Sequence, residues 1–256
     1  MGEALVAGLL DAGFEADSIA VAEIDPGRRH VIETQYPDVR VVPSPTRAVP
    51  DADVVLVALK PQQVSEALVG SAAALGEQTL VLSIAAGVTI AELETAAPGR
   101  PVIRAMPNTP ALVRRGASAI AAGTHAGETD LELAERLLGA VGIVVRVPEK
   151  LLDAVTGLSG SGPAYVFLLA EALIEGGVLN GIPRDVATTL VNQTILGAGV
   201  LLAESDDGAE ALRAAVTSPG GTTAAGLRAL EHGSFRGVIL EAVTAATERS
   251  RELGRP

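Results

Sequence analysis

Residues 1–29, MGEALVAGLLDAGFEADSIAVAEIDPGRR, decide how the rest of the chain is parsed. Ala4 to Ala12 places Leu5, Leu9 and Ala12 on one helical stripe. Ile19 to Glu23 has the composition of a short strand, and it ends on an acid. Gly2 precedes the helix, and Glu23 follows it by about the 20 residues that separate a phosphate-binding glycine turn from a ribose-binding carboxylate. In that arrangement the helix points its amino end at a pyrophosphate and the acid accepts the ribose hydroxyls.

On this register Gly2 is the third glycine of a G-x-G-x-x-G turn, and the first strand and first two glycines would precede Met1. That strand lies in the middle of a doubly wound sheet. Its absence predicts two unpaired inner edges, which about ten further residues or some other element would have to cover. The start also lacks the basic residues and small-residue cleavage site of a secretory signal, and Glu3 interrupts its apolar run.

Short β-branched runs alternate with helical stretches as far as residue 148, predicting a Rossmann-like, doubly wound and mostly parallel sheet covered on both faces. The expected strands are Ile19–Glu23, Val39–Val42, Val54–Ala58, Leu80–Ser83, Val102–Arg104, Ser118–Ala121 and Ile143–Val147. The expected helices are Ala4–Ala12, Arg28–Tyr36, Gln62–Ala74, Ile90–Ala96 and Asp130–Ala140. Beyond Pro148 the strand signals stop, and residues 149–256 form a second, all-helical domain with helices near 149–157, 162–180, 184–203, 207–215, 222–232 and 234–252. Their apolar surface exceeds what one small domain covers, which predicts an obligate homodimer or larger closed assembly.

Nineteen basic residues against 31 acidic ones give a net charge of −12, which argues against nucleic acid and anionic membrane as partners. No cysteine is present, so disulfides, thiolate metal sites and cysteine nucleophiles are excluded, and a reducing, cytoplasmic setting is expected. His30, His125 and His232 have no second histidine at helical spacing, and no metal site is expected. The charge-free stretch between Asp185 and Glu204 approaches membrane-spanning length. Its Thr188, Thr189, Asn192, Gln193 and Thr194 favour instead a helix buried on several faces, including between subunits.

Ligands of doubly wound sheets bind beyond the carboxyl ends of the strands. There the chain offers Lys60 and Pro61 after the third strand, and Ala85, Ala86 and Gly87 after the fourth, small enough to admit a flat ring. Asn108 lies between two prolines, where its amide could hold a carboxamide or a ribose. Glu23 favours NADH, whereas Arg28 and Arg29 could pair with the 2′-phosphate of NADPH, so both cofactors stay open. In the helical domain, LSGSGPA (158–164) reads as a helix start, either a cap alone or part of a site. VTSPGGTT (216–223) gathers glycines, hydroxyls and backbone N–H groups at a helix amino end, a suitable seat for a carboxylate.

Taken together these segments resemble the Δ1-pyrroline-5-carboxylate reductases. LRAAVTSPGGTTAAGLRALEHGSF (212–235) is similar to that family's C-terminal signature. VALKP, SIAAGV, RAMPNTPALV and GLSGSGPAYVFLLAEAL match its other segments in order, and the likeness extends from Met1 to about Leu253. The resemblance implies hydride transfer from NADH or NADPH to the C=N carbon of pyrroline-5-carboxylate, giving L-proline. It implies a substrate carboxylate on Gly220, Gly221, Thr222 and Thr223 with Ser218 assisting, and the Thr223 hydroxyl on the imine nitrogen. It also implies Lys60, Pro61, Asn108 and Ala85–Gly87 on the nicotinamide side, Gly2 by the pyrophosphate, and dimers that in this family often form a ring, with the substrate pocket at their interface. The inventory agrees, because a protonated cyclic imine needs positioning and one donor rather than a histidine base or a metal.

Two rivals stand beside this expectation. One is a related reductase acting on an imine or a hydroxy acid; those acting on hydroxy acids would use a lysine deep in the helical domain, and no lysine follows Lys150. A scaffold or regulator that has lost catalysis would have no cofactor affinity even with an extended amino terminus.

Overall fold

The computed structural model describes residues 1–254. Packing divides the chain into two compact units: Met1–Ser161 joined by the segment from Ala246 onward, and Gly162–Ala245.

In the first unit all seven expected strands form, in order β1 (Ala20–Ala22), β2 (Arg40–Val42), β3 (Val54–Val57), β4 (Leu80–Ser83), β5 (Val102–Met106), β6 (Gly116–Ala122) and β7 (Gly142–Arg146). The helices are α1 (Gly2–Asp11), α2 (Pro26–Gln35), a short α3 (Pro45–Ala48), α4 (Pro61–Ser71), α5 (Ile90–Ala96), α6 (Glu128–Gly139) and α7 (Leu152–Val155). Local chemistry sets their starts. Prolines open α2, α3 and α4, Asp25 caps α2, and Thr89 with Glu92 closes a reciprocal capping box on α5.

Strands β3 to β7 form one sheet in sequence order, while β1 and β2 form a separate parallel pair. Among the described residues no strand joins β1 to β3. All pairings are parallel except β5 with β6. The link between those two strands is too short for a parallel crossover, which needs a dozen or more residues. The core sits on both faces: Leu80, Leu82, Ile103 and Ile120 pack with Leu5 and Leu138, while Val57, Val81 and Val102 pack with Val64, Leu68 and Leu93. Strand β4 is buried along its whole length, as a strand covered on both sides must be.

The second unit contains α8 (Gly162–Leu179), α9 (Arg184–Glu204), α10 (Ala209–Ala215), α11 (Thr222–His232) and the first part of α12 (Phe235–Leu253). Gly181, at φ 89°, turns the chain between α8 and α9, and Arg184 pairs with Glu175 through two bonds of 2.8 and 3.1 Å. No residue of α8 is buried, and in α9 only Ala187 is. Leu168, Leu179 and Leu196 are 66%, 86% and 60% exposed. The helical runs Glu149–Leu179 and Arg184–Glu204 are long and apolar enough to cross a membrane by length and composition. In α9, however, Thr188, Thr189 and Thr194 interrupt the apolar surface, each turning its hydroxyl back to the carbonyl four residues earlier.

Candidate active site

The register of β3, β4 and β5 aligns Val57 with Ser83 and Ser83 with Arg104, so the chain leaves all three strands at the same sheet end. Ala58–Pro61, Ile84–Gly87 and Ala105–Asn108 therefore share one rim. Lys60 is the exposed cap of α4 and Pro61 its first residue. Ala85 is buried, its amide reaching the Ser83 hydroxyl at 3.3 Å, whereas Ala86 faces solvent. Gly87 adopts φ 79°, which only glycine takes freely, and its backbone lies beside Leu253, whose carbonyl oxygen stands 3.7 Å from where a Cβ would sit.

The amino end of α1 reaches the same rim: a Cβ on Gly2 would stand 3.2 Å from that of Ala58. The first bond into the helix is Leu5 N–H to the Met1 carbonyl, so the preceding amides have no intrahelical acceptor. At the end of β1, Glu23 accepts the Asp25 amide at 2.9 Å, and Asp25 in turn accepts the Arg28 amide at 2.6 Å. Arg29 donates to the carbonyls of Glu23 and Ile24, each at 2.9 Å. The Arg28 guanidinium is ion-paired with Glu3. Beside them Tyr36 has its phenol pKa pushed up, first by burial and then by the charge of Glu3, with Arg28 opposing.

This donor set fits a dinucleotide. Helix amides without an intrahelical acceptor are suited to a pyrophosphate, a strand-end carboxylate is suited to ribose hydroxyls, and the Ala85–Gly87 turn carries no side chain beyond a methyl.

The Asn108 side chain is bonded at both ends of its amide. Its Nδ2 donates to the Ser159 carbonyl at 3.0 Å and its Oδ1 accepts the Ala117 amide at 2.8 Å, tying the rim to a π-helical turn at Thr156–Gly160. Met106 closes against the same turn, its Cε only 2.7 Å from where a Cβ on Gly160 would stand. One Nδ2 hydrogen and one Oδ1 lone pair remain for a ligand. Nearby, buried Arg104 meets Glu149 at 3.0 Å, and Glu149 also accepts the Ile90 amide at the start of α5 at 2.7 Å. Neither Glu149 nor Ser159 stood out in the sequence as a partner of the strand-end loops. A lone acid after Pro148 and a carbonyl in a π turn leave no periodic trace.

Ser218–Thr223 belong to the other unit. Gly220 turns the chain at φ 70°, and a Cβ on Gly221 would overlap the Ser218 hydroxyl. Gly221 caps α11 with no side-chain bond, and the helix's first bond is Ala225 N–H to the Gly221 carbonyl at 3.2 Å. The amides of Thr222, Thr223 and Ala224 therefore start the helix without an intrahelical acceptor, beside the Thr222 and Thr223 hydroxyls.

A family model described as pyrroline-5-carboxylate reductase dimerisation matches residues 149–253, and one described as NADP oxidoreductase coenzyme F420-dependent matches residues 1–87. A pyrroline-5-carboxylate reductase from Synechocystis sp. is 45% identical over 256 residues, covering 100% of this chain and 95% of its own. The chain belongs to the pyrroline-5-carboxylate reductase family. Among solved pyrroline-5-carboxylate reductases, that of Coxiella burnetii aligns with a TM-score of 0.95 at 35% identity, covering 100% of this chain and 95% of its own. The Plasmodium falciparum pyrroline carboxylate reductase, solved with NADP bound, aligns at a TM-score of 0.86 and 31% identity with the same coverages. The fold expected from the sequence, a Rossmann-like domain followed by an all-helical dimerisation domain, is that of the pyrroline-5-carboxylate reductases.

Proposed function

We propose that this chain reduces Δ1-pyrroline-5-carboxylate to L-proline with NADH or NADPH, the last step of proline biosynthesis, using the strand-end rim for the cofactor and the Ser218–Thr223 corner for the substrate. The observation that carries the reading is the full-length likeness to reductases of that name, on a chain whose residues suit imine chemistry. No described group of three or more histidine, cysteine or acidic side chains could hold a metal. A cyclic imine with a protonated nitrogen is already electrophilic, so the protein's work is to hold and orient.

The bound cofactor supplies the hydride. Gly2 and the first amides of α1 hold its pyrophosphate, Glu23 its adenosine ribose, and Lys60, Pro61, Ala85, Ala86, Gly87 and Asn108 its nicotinamide half. The amides of Thr222 and Thr223, with Gly220 shaping the turn and Ser218 assisting, hold the substrate carboxylate, while the Gly221 amide closes that turn on the Ser218 carbonyl at 3.1 Å. The Thr223 hydroxyl bonds the ring nitrogen. Residues 1–148 serve as the dinucleotide domain and 149–256 as the dimerisation and substrate domain. A second copy of the chain covers α8 and α9, which the family's dimerisation domain supports, and dimers arranged in a ring extend the same reading. Cytoplasmic residence completes it; neither nucleic acid nor a membrane enters.

Absorbance at the reduced-nicotinamide band, followed with pyrroline-5-carboxylate, tests the reaction: substrate-dependent loss of the band is expected, and its absence at high protein concentration would count against the reading. Glu23→Ser is expected to raise the kcat/KM ratio of NADPH over NADH by roughly tenfold, because it removes a charge that repels the 2′-phosphate and accepts ribose hydroxyls. An unmoved ratio would show that Glu23 does not face the ribose.

A further inference from the structure

The two reduced cofactors differ only at the 2′ position of the adenosine ribose, a hydroxyl in NADH and a phosphate in NADPH. Resting on the cofactor site just proposed, we infer that Glu3 sets the choice between them by holding Arg28 away from that position.

The two cations of this corner are held differently. Five charged side chains surround the end of β1 and the start of α2: Glu3, Glu23 and Asp25 against Arg28 and Arg29. Arg29 is committed to the chain itself, since its Nη1 donates to two carbonyls, those of Glu23 and Ile24, at 2.9 Å each. Glu23 is steadied by the Asp25 amide. Arg28 differs from both. Its backbone is fixed in the first turn of α2 by the Asp25 cap at 2.6 Å, while its guanidinium reaches out to Glu3, 25 residues earlier in the first turn of α1. Its guanidinium, unlike that of Arg29, is held by a side chain and not by backbone carbonyls, and the carboxylate that holds it carries no part of the proposed chemistry.

The Arg28 and Glu3 side chains are 44% and 35% exposed, so their attraction is screened and weak. A phosphate is a stronger, bidentate partner for a guanidinium than a carboxylate already shared with water. NADPH must therefore draw Arg28 off Glu3 and leave that acid unpaired beside its own charge, whereas NADH asks nothing of either residue. Glu3 acts through Arg28, which makes it a positioning residue for specificity and not a catalytic one.

The test is direct binding of NADPH and of NADH to the full chain, followed by the fluorescence of the reduced nicotinamide, which no tryptophan in this protein obscures. Glu3→Gln is expected to tighten NADPH about fivefold more than NADH, the factor a screened ion pair of this kind carries. The gain should vanish in the Glu3→Gln/Arg28→Ala double variant and be partial in Glu3→Asp, whose shorter acid reaches Arg28 less well. Equal tightening of both cofactors would mean that Glu3 acts only through its field on the pyrophosphate, and a gain that survives loss of Arg28 would mean another cation serves; either overturns the inference. Failure of the native chain to bind either cofactor would overturn the cofactor-site reading, and this inference with it.

Discussion

Thr223→Ala is expected to lower turnover by roughly 10²-fold or more, the usual contribution of a positioned proton donor, with NADH and NADPH binding as before. The geometry gives the reason. Thr223 is the second residue of α11, and its amide and that of Thr222 start the helix without an intrahelical acceptor. Removing its hydroxyl leaves those amides in place to hold a carboxylate, so KM should change much less than kcat, which marks an interaction made mainly in the transition state. Thr223 makes no side-chain cap on the helix, so the folded state should be little affected. Thr223→Ser, which keeps the oxygen, should retain most of the activity. Steady-state kinetics on the two variants decides the matter: full activity in the alanine variant removes Thr223 from the reaction, and equal loss in both variants assigns it a packing role.

Leu196→Asp should separate the subunits. Leu196 lies in the middle of α9, a 21-residue helix in which only Ala187 is buried within the protomer. Were the chain a working monomer, an acid at a position already 60% exposed would cost nothing measurable. At the centre of a dimer interface it places an unpaired charge in apolar surroundings, and interface anchors of that kind carry about 2 kcal/mol or more. Sedimentation should then show monomer or aggregate at concentrations where the native chain is dimeric. An unchanged dimer would move the interface off this part of α9.

Much of this was legible in the amino acids because alternating apolar periods and punctuation survive translation into structure. The seven strands and the long helices fall within a few residues of their sequence positions, since Pro26, Pro61, Thr89 and Gly181 act locally. The antiparallel β6 was not legible: nothing in Gly116–Ala122 itself encodes direction, and only the short link from Met106 dictates it. The same holds at the site. Glu23, Gly87 and the 218–223 corner announce themselves by residue type at strand ends and helix starts. The bonds from Asn108 to Ser159 and to Ala117 span 51 and 9 residues, and the meeting of Glu149 with Ile90 and Arg104 spans 59 and 45. Such pairings depend on tertiary packing, which leaves no local mark.

The first unit has a slow interior and a faster margin. Strands β4 and β5 should give up their amide protons last, because Leu80, Val81, Leu82, Val102 and Ile103 are fully buried and β4 has a hydrogen-bonded neighbour on either side. No residue of β1 or β2 is buried, so that pair should exchange with deuterium far sooner. The adenosine end of the proposed cofactor site would thus rest on the looser piece and the nicotinamide end on the more rigid one.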